Sequence, residues 1–489
     1  MKNSLLSGFQ ISYINEIIKQ CDFLTVKSAI YIEDGENRPD LELLFDRNEL
    51  RAGNVIEDKL YFHYDSDVVL KVQPYLLNAL TLFDRYDVNN SISSTERLRI
   101  IYLNVAFWID YINQEKIELI LSREIPHFPH EYCLYIASKV LGVKILMFDY
   151  VEHLKRTLCI ESIEDRFIAS KDVLQDLILK SEKLLRVLKS SYDEVLQNSK
   201  VPTISTFKTK WSFVSWCKYF TRDILSVLKY RFSRSPISIL LDKKQYLLRE
   251  KPFHYKVRFF FHKLRYKVFL YELFYISKSK SFNIDNFKDN KLVVFYANYQ
   301  PERTTNPDGG VYFDILNVLS LLKNLLPNEY KIIYKEHPHT FSPPYKDLFR
   351  GALFRSKEYY QKIIDMGVEL VPTSFNTYKL IELSDFSASI NGTVLIESIV
   401  NKTNAIMFGN GWIESLPGVY KIKNRQDLIN LLNQEQVSEI NEKDVVKKFA
   451  DVYSDSIEHL NLLKDWRSFN TIHFEVEQLL KYVKDKSGK

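Results

Sequence analysis

Short apolar runs alternate with segments of helical periodicity from residue 289 to residue 434. Turn residues bound each run, and each run is too short for a typical helix, so the runs are predicted to form strands. This alternation is typical of a parallel sheet covered by helices. The pattern predicts a Rossmann-like domain with strands at residues 291–296, 331–334, 368–371, 386–390 and 404–409.

A similar alternation extends over the first 160 residues and predicts a second Rossmann-like domain. Residues 99–103 and 144–148 are apolar runs predicted to be buried strands. Residues 131–140 have helical spacing and precede Gly142, the residue type that commonly ends a helix. The chain is thus predicted to be α/β, with Rossmann-like domains at 1–160 and 289–434, a helical basic insertion at 161–288, and C-terminal helices at 435–489.

Composition excludes several classes of protein. The 489 residues are 46% hydrophobic and 14% aromatic, which argues against a mainly disordered chain. The four cysteines contain no CxxC pair and fit reduced thiols better than a disulfide framework or a zinc site. There is no secretory signal and no uncharged apolar run of 18 residues. We therefore expect a cytoplasmic protein.

The net charge of +5 conceals an uneven distribution of charge. Residues 207–280 contain 18 Lys and Arg against four acids, which gives +14 and leaves −9 for the rest of the chain. The segment is also rich in aromatic residues. It is predicted either to pack on its own domain or to contact the anionic inner face of the cell membrane. Nucleic acid is not expected as a partner, because no known nucleic-acid-binding motif is present.

Three polar clusters follow predicted strands of the second Rossmann-like domain, at the sheet edge where ligands bind in open α/β sheets. The first cluster contains Gln300, Glu302 and Arg303, beside a proline that would stiffen the loop. Its carboxylate and guanidinium are candidate ligand contacts. An ordinary surface loop with a local ion pair is the alternative interpretation.

The second cluster is the sequence from Lys335 to Pro338. Pro338 fixes a turn and directs His337 away from helical geometry. Lys335 and His337 are candidates for contact with the phosphate of a nucleotide donor. His337 is also a candidate general acid or base, because the pKa of histidine is easily moved through neutrality.

The third cluster is Asn391-Gly392-Thr393, which opens a predicted helix. Gly392 allows close backbone approach to a ligand, and the helix start offers free N–H groups to an anion. Thr393 can cap the helix or bind phosphate. Glu397 lies one turn further along and can accept hydrogen bonds from a ribose diol. Together the three clusters predict a site for a nucleotide-type anion.

A loop of the first domain offers candidate catalytic side chains, because Glu124 and His127 precede its predicted helix. Either could act as general base or nucleophile. His127, His130 and Glu131 also suggest a zinc site, but two prolines in the loop preclude the regular helix that aligns such ligands. No metal site is predicted.

The ordered set Gln-Pro-Glu, Lys-Glu-His-Pro and Asn-Gly-Thr, with Glu397 and Phe408-Gly409, resembles the bacterial capsule and surface polysaccharide biosynthesis family. That family includes the β-Kdo transferases. The resemblance covers residues 291–425 and, less closely, residues 120–150. It does not cover the basic insertion or the C-terminal segment.

The resemblance implies a GT-B fold, with two Rossmann-like domains facing across a cleft and the donor nucleotide on the C-terminal one. It implies a metal-independent glycosyltransferase that moves a sugar from a nucleotide donor, CMP-Kdo being one candidate, to a glycan or lipid-linked acceptor. The nucleotide sugar is a substrate, and no separate cofactor is expected. The roles implied are donor binding by Gln300, Arg303, Lys335, His337, Pro338, Asn391, Gly392, Thr393 and Glu397, and catalysis by Glu124, His127 and Glu302.

Two further functions remain open from the sequence. Glycerophosphotransferases that use CDP-glycerol share the fold and a similar His-Pro element. A non-catalytic component of glycan assembly would keep the fold without activity. Nucleotide binding and turnover separate these functions from the first.

Overall fold

The computed structural model describes residues 1–31, 38–39, 41, 43–47, 50, 65–85, 92–198, 221, 267–341, 354–434, 437–458 and 472–487. These residues divide into two compact units. Unit 1 takes the described residues of 1–168 and 451–487, and unit 2 takes those of 169–450.

Unit 1 is built on a seven-stranded sheet in the order β13-β6-β5-β4-β1-β2-β3. Strands β1 to β5 are parallel, whereas β6 runs antiparallel to β5, and β13 at the edge pairs antiparallel with β6. The chain leaves β1 in one direction to β2 and β3, and β4 lies on the other side of β1. The strands are β1 (Lys2–Phe9), β2 (Leu24–Tyr31), β3 (Leu43–Asp46), β4 (Leu119–Ser122), β5 (Lys144–Val151), β6 (Arg156–Ile160) and β13 (Ser456–Glu458).

Apolar faces of the helices of unit 1 cover this sheet. In the helix that begins at Ile11, the buried residues recur at the spacing of one helical face. The predicted helix ending at Gly142 is confirmed, because Gly142 adopts a left-handed backbone with φ of 69°. The helices are α1 (Ile11–Gln20), α2 (Ser66–Val72), α3 (Leu76–Leu82), α4 (Ser94–Gln114), α5 (Pro129–Leu141) and α13 (Ile472–Lys486).

The predicted strand at residues 99–103 is wrong, because these residues lie inside helix α4. Ser93 caps the helix by accepting a hydrogen bond from the backbone N–H of Glu96 at 3.2 Å. A short apolar run fits a buried strand and a buried helix equally well by periodicity alone. The capping serine was the sequence signal for a helix.

Unit 2 is built on a six-stranded, fully parallel sheet in the order β12-β11-β10-β7-β8-β9. The chain runs from β7 outward to β9 and then returns to the other side of β7 with β10. The α/β class with two parallel-sheet units is thereby confirmed. The strands are β7 (Lys291–Tyr296), β8 (Tyr330–Lys335), β9 (Glu369–Val371), β10 (Phe386–Ser389), β11 (Asn404–Met407) and β12 (Val419–Lys421).

Side-chain caps define the starts of most helices of unit 2. Asp314, Ser356, Asn376 and Asn424 each accept a hydrogen bond from a backbone N–H of the following turn. The helices are α6 (Gln175–Asn198), α7 (Ile315–Leu325), α8 (Lys357–Asp365), α9 (Thr377–Leu383), α10 (Thr393–Val400), α11 (Arg425–Leu432) and α12 (Glu442–Ser454).

The C-terminal segment does not form a compact unit of its own but is divided between units 1 and 2. Residues 437–450 pack with unit 2, whereas the described residues from 451 onward belong to unit 1. Strand β13 pairs with β6, and helix α13 packs against the sheet core through Val476 and Leu479. Helices α12 and α13 lie within the segment predicted to be helical at 435–489, whereas strand β13 between them was not predicted, because strand pairing with a distant edge leaves no local periodic signal.

The basic segment of residues 207–280 lies largely outside the described residues. Of its described part, residues 267–279 are helical and pack on the core of unit 2 through Val268 and Tyr275. Within the described residues, no helix combines the length and apolarity needed to span a bilayer.

Candidate functional site

The first and third polar clusters meet between β7 and β10, where the strand order of unit 2 reverses. The side-chain amide of Asn298 donates to the carbonyl of Asn391, which joins the two loops. Ser389 lies beneath them, and its hydroxyl is 2.9 Å from the carbonyl of Tyr296 and 3.1 Å from Oδ1 of Asn298. These polar groups are buried and mutually satisfied. They form a rigid floor at the position where doubly wound sheets bind ligands.

Gly392 begins helix α10 in a backbone conformation that side chains rarely adopt, with φ of 140°. A Cβ atom there would lie 3.5 Å from the amide nitrogen of Asn298. The helix has no side-chain cap, and Thr393 is exposed at its first position. Its first N–H groups therefore stay available to an anion.

Glu397 is half-buried one turn into helix α10. Burial raises the pKa of its carboxyl to about 7, and a hydrogen bond from Thr393 opposes part of this rise. Thr393 and Glu397 thus lie on one face of the helix, as their spacing predicted. A carboxyl at this position can accept hydrogen bonds from a diol.

His337 follows β8 and caps the short turn that begins at Pro338. Its Nδ1 accepts a hydrogen bond from the backbone N–H of His339 at 3.2 Å, so the ring proton of the neutral imidazole is on Nε2. Burial and the neighbouring His339 lower the pKa of His337 to about 4. The imidazole is therefore a neutral hydrogen-bond donor. Its ring centre lies 5.9 Å from that of Tyr299, the residue before the first polar cluster.

Lys335 is buried, and its ammonium donates to the carbonyls of Thr373 at 2.9 Å and Phe375 at 2.8 Å. Burial lowers the pKa of this ammonium to about 8. Two of the three hydrogens of the Lys335 ammonium are thus hydrogen-bonded to the loop after β9. Its predicted contact with donor phosphate depends on the remaining hydrogen.

The residues of the first cluster have different surroundings. Gln300 is buried, donates to the carbonyl of Phe313 at 2.9 Å and accepts from Arg355 at 2.6 Å. Arg303 lies 3.8 Å from Asp308, whereas Glu302 is exposed. Gln300 is therefore held by two contacts within the protein, and the ligand contact predicted for it depends on its second amide hydrogen.

Sequence reasoning missed the two residues that join these clusters, Glu336 and Arg355. Their side chains are almost fully buried and form an ion pair at 2.6 Å. Burial would raise the pKa of Glu336, but the Arg355 guanidinium outweighs it and lowers that pKa. The acidic residue inside the Lys-Glu-His-Pro sequence was a visible signal, whereas Arg355 has no motif around it.

The candidate catalytic residues of unit 1 lie together after β4. Nδ1 of His127 is 2.9 Å from the carbonyl of Ile125, and its imidazole is 3.8 Å from a carboxylate oxygen of Glu124. Burial lowers the pKa of His127 to about 3, so the ring is neutral near pH 7. Glu124 is the more exposed of the two, with 41% of its side chain accessible.

Single ligand atoms of Glu124, His127 and Glu131 lie within 4.8 Å of one another. The prolines of the loop therefore do not keep these groups apart, contrary to the reasoning from sequence. However, the Arg47 guanidinium is 2.6 Å from Glu131 and 3.5 Å from Glu124. A cation already neutralises both carboxylates, so the cluster does not fit a divalent metal well.

No family model matches the chain, and no curated protein matches it. Among solved structures it is similar to the β-Kdo 2,7 transferase KpsC of Thermosulfurimonas dismutans, with 10% identity, a TM-score of 0.27, and coverage of 78% of this chain and 89% of that one.

Two other structures illustrate the range of enzymes found. The S. aureus MnaA–UDP structure has 10% identity, a TM-score of 0.22, and coverage of 100% of this chain and 97% of that one. The UDP-forming trehalose-phosphate synthase of Burkholderia xenovorans has 9% identity, a TM-score of 0.28 and full coverage of both chains.

Proposed function

We propose that the protein is a glycosyltransferase of bacterial capsule or surface polysaccharide biosynthesis. It transfers a sugar from a nucleotide-activated donor to a glycan or lipid-linked acceptor. The observation that carries this proposal is that the loops after β7 and β10 are joined at the point of unit 2 where the strand order reverses, while Arg355 connects the loop after β7 with the turn after β8. Doubly wound sheets bind nucleotides at this point.

The leaving phosphate binds at the start of helix α10. The N–H groups of Thr393 and the next residue point along the helix axis, and the Thr393 hydroxyl adds a donor. His337 contributes its Nε2–H without a formal charge. Glu397 accepts from the ribose hydroxyls. These fixed dipoles stabilise the negative charge that develops on the leaving group.

The charge balance of the site favours a donor with one phosphate. Arg303 is paired with Asp308 and Arg355 with Glu336, whereas Lys335 donates to two neutral carbonyls and keeps its positive charge. A single such cation at the same sheet edge as the start of helix α10 suits the charge of one phosphate better than that of a diphosphate. This supports a CMP-activated sugar such as CMP-Kdo over UDP- and GDP-sugars.

Catalysis proceeds through the loop after β4 in unit 1. Neutral His127 has its Nδ1 at the Ile125 carbonyl, which leaves Nε2 unprotonated toward an acceptor hydroxyl, but the pKa of about 3 makes this nitrogen a weak base. Glu124 is the alternative base or nucleophile. Glu302 remains a third catalytic candidate, because it is exposed beside the donor site of unit 2. Helix dipoles and hydrogen-bond donors replace a metal in stabilising the leaving group.

We also propose peripheral contact with the anionic inner face of the cell membrane through residues 207–280. The charge of +14 over this segment supports the proposal. So do Leu273 and Ile276, which are 46% and 50% exposed on its described helix. Sedimentation with vesicles tests it: binding to vesicles containing phosphatidylglycerol should weaken with salt, and equal binding to neutral vesicles would oppose it.

Nucleotide binding tests the main proposal. Thermal unfolding of the full chain is measured with CMP, UDP, GDP and CDP-glycerol, followed by the corresponding nucleotide sugars. A ligand at 100 times its Kd stabilises the native state by about 2.7 kcal/mol. We expect CMP to give the largest shift, and His337→Ala and Glu397→Ala to reduce it.

Lys331→Ala is the matched control, because Lys331 is exposed near the opposite end of β8. Turnover of CDP-glycerol in place of nucleotide sugars would replace the proposal with a glycerophosphotransferase. The absence of any nucleotide-induced shift would favour a non-catalytic component of glycan assembly.

A further inference from the structure

A single buried carboxylate organises the turn that carries His337. Glu336 is fully buried, and its two oxygens accept six hydrogen bonds. The donors are the Tyr334 hydroxyl at 2.8 Å, the Tyr360 hydroxyl at 2.8 Å, the His337 backbone N–H at 2.9 Å, the Thr340 hydroxyl at 3.0 Å, and Arg355 through Nε at 2.6 Å and Nη2 at 3.1 Å.

Two of these donors belong to the turn itself. The His337 N–H and the Thr340 hydroxyl both bind Oε1 of Glu336, at the two ends of the turn. The position of the turn is therefore defined by the position of this carboxylate. A shift of Glu336 would move the His337 imidazole with it.

Arg355 extends the connection to the loop after β7. Its Nε and Nη2 bind Glu336 in a forked geometry, and its Nη1 binds Oε1 of Gln300 at 2.6 Å. The same Gln300 side chain is anchored to the carbonyl of Phe313. The Arg355 guanidinium also lies 4.6 Å from the ring centre of Tyr359, and this contact restricts the orientation of the guanidinium plane.

We propose that Glu336 and Arg355 are positioning residues that hold the His337 turn and the Gln300 loop in the relative geometry needed for sugar transfer. Neither has to touch the substrate. They act through His337 on one side and through the Gln300 loop on the other. This inference rests on the proposed function, because it assigns these residues a part in the same site.

A planar guanidinium is required for this task. Arg355 uses three of its nitrogens at once toward two different loops, whereas a lysine ammonium is a point charge that cannot span them. Arg355→Lys therefore keeps the positive charge beside Glu336 and removes the connection. Arg186→Lys is the matched control, because Arg186 is 76% exposed on helix α6.

The first measurement separates positioning from folding. Steady-state rates and CMP binding are determined for the full chain, normalised to the folded fraction at the assay temperature. We expect Arg355→Lys to lower kcat by about tenfold to a hundredfold. CMP binding should weaken by a smaller factor than kcat falls, because His337 is one of several contacts to the phosphate. A purely structural role predicts unchanged kcat per folded molecule, and that result would overturn the proposal.

The second measurement does not depend on activity. Histidine-selective ¹⁵N NMR reports which ring nitrogen of His337 carries the proton. We expect Arg355→Lys and Glu336→Gln to change the His337 signals and leave those of His127 in unit 1 unchanged. Unchanged His337 signals in folded variants refute the positioning role, whereas absence of transfer by the wild-type chain refutes the proposed function alone.

Discussion

Arg355→Met removes the cation from a fully buried ion pair and leaves the Glu336 carboxylate in place. The carboxylate loses the hydrogen bonds at 2.6 and 3.1 Å from Nε and Nη2, and keeps its four uncharged donors. Breaking one side of a buried pair costs about 3–5 kcal/mol, because a charge stays buried without compensation. At about 2–4 °C per kcal/mol, the melting temperature of unit 2 should fall by about 6–20 °C.

The pH dependence of this loss has a defined sign. Arg355 lowers the pKa of Glu336 in the native state, so the pair contributes stability above the unfolded pKa and loses it as pH falls. Without Arg355, burial dominates and raises the pKa of the Glu336 carboxyl. The variant can then protonate this group at mildly acidic pH. Its deficit relative to the wild-type chain should be larger at pH 8 than at pH 5.

Amide hydrogen exchange measures the effect unit by unit. Protection of the β8 and β10 amides should fall in the variant, while the β4 amides of unit 1 serve as the internal reference.

Glu336→Leu/Arg355→Met should recover most of the loss, because no buried charge remains. Lys288→Ala, at a pair with side chains 72% and 61% exposed, should change stability by less than about 1 kcal/mol. A single variant within about 1 kcal/mol of wild type at pH 8, or a double variant as unstable as Arg355→Met, would contradict the reasoning.

Three further predictions concern the same site. In Gly409→Ala the new Cβ would lie 2.7 Å from the carbonyl oxygen of Ile390, so we expect a loss of about 1–3 kcal/mol in thermal unfolding and weaker CMP binding; full retention of both would contradict this. Because burial raises the native pKa of Glu397 to about 7, the stability of the wild-type chain relative to Glu397→Gln should fall as pH rises from about 4.5 to 7, and a flat difference in urea unfolding would refute it. Because the pKa of His337 is lowered to about 4, its ¹⁵N signals should show no titration between pH 5 and 8, and a midpoint near 6.5 would exclude a buried neutral ring.

Much of the secondary structure of unit 2 could be predicted from sequence, because each strand, turn and helix start is determined by residues close together in the chain. Strand runs, turn residues and the glycine before Thr393 all act within a few residues of chain. The carboxyl ends of parallel strands share one edge, so motifs that follow β7, β8 and β10 had to lie together. This placed Asn391, Gly392 and His337 at one edge without any knowledge of side-chain contacts.

The remaining features depend on partners that are distant in sequence. Gln300 was predicted to face the ligand, but Arg355 engages its amide from 55 residues away. Lys335 was assigned to phosphate, but the loop after β9 supplies carbonyls that bind its ammonium. Arg47 likewise determines the surroundings of Glu124 from another strand end. Such pairings are properties of the folded chain and leave no periodic or compositional mark.

Unit 1 combines residues 1–168 with residues from 451 onward, and this affects how the chain folds during synthesis. Strand β13 pairs into a sheet whose first strand begins at Lys2, and helix α13 packs against that sheet. The Tyr13 hydroxyl lies 3.4 Å from a carboxylate oxygen of Glu475, 462 positions further along the chain. During synthesis, unit 2 can therefore fold on the ribosome before strand β13 is available to complete the sheet of unit 1. Contacts this distant form slowly and leave apolar surface exposed in the meantime. Cells producing this protein should therefore rely on chaperones for unit 1 until β13 and α13 have been synthesised.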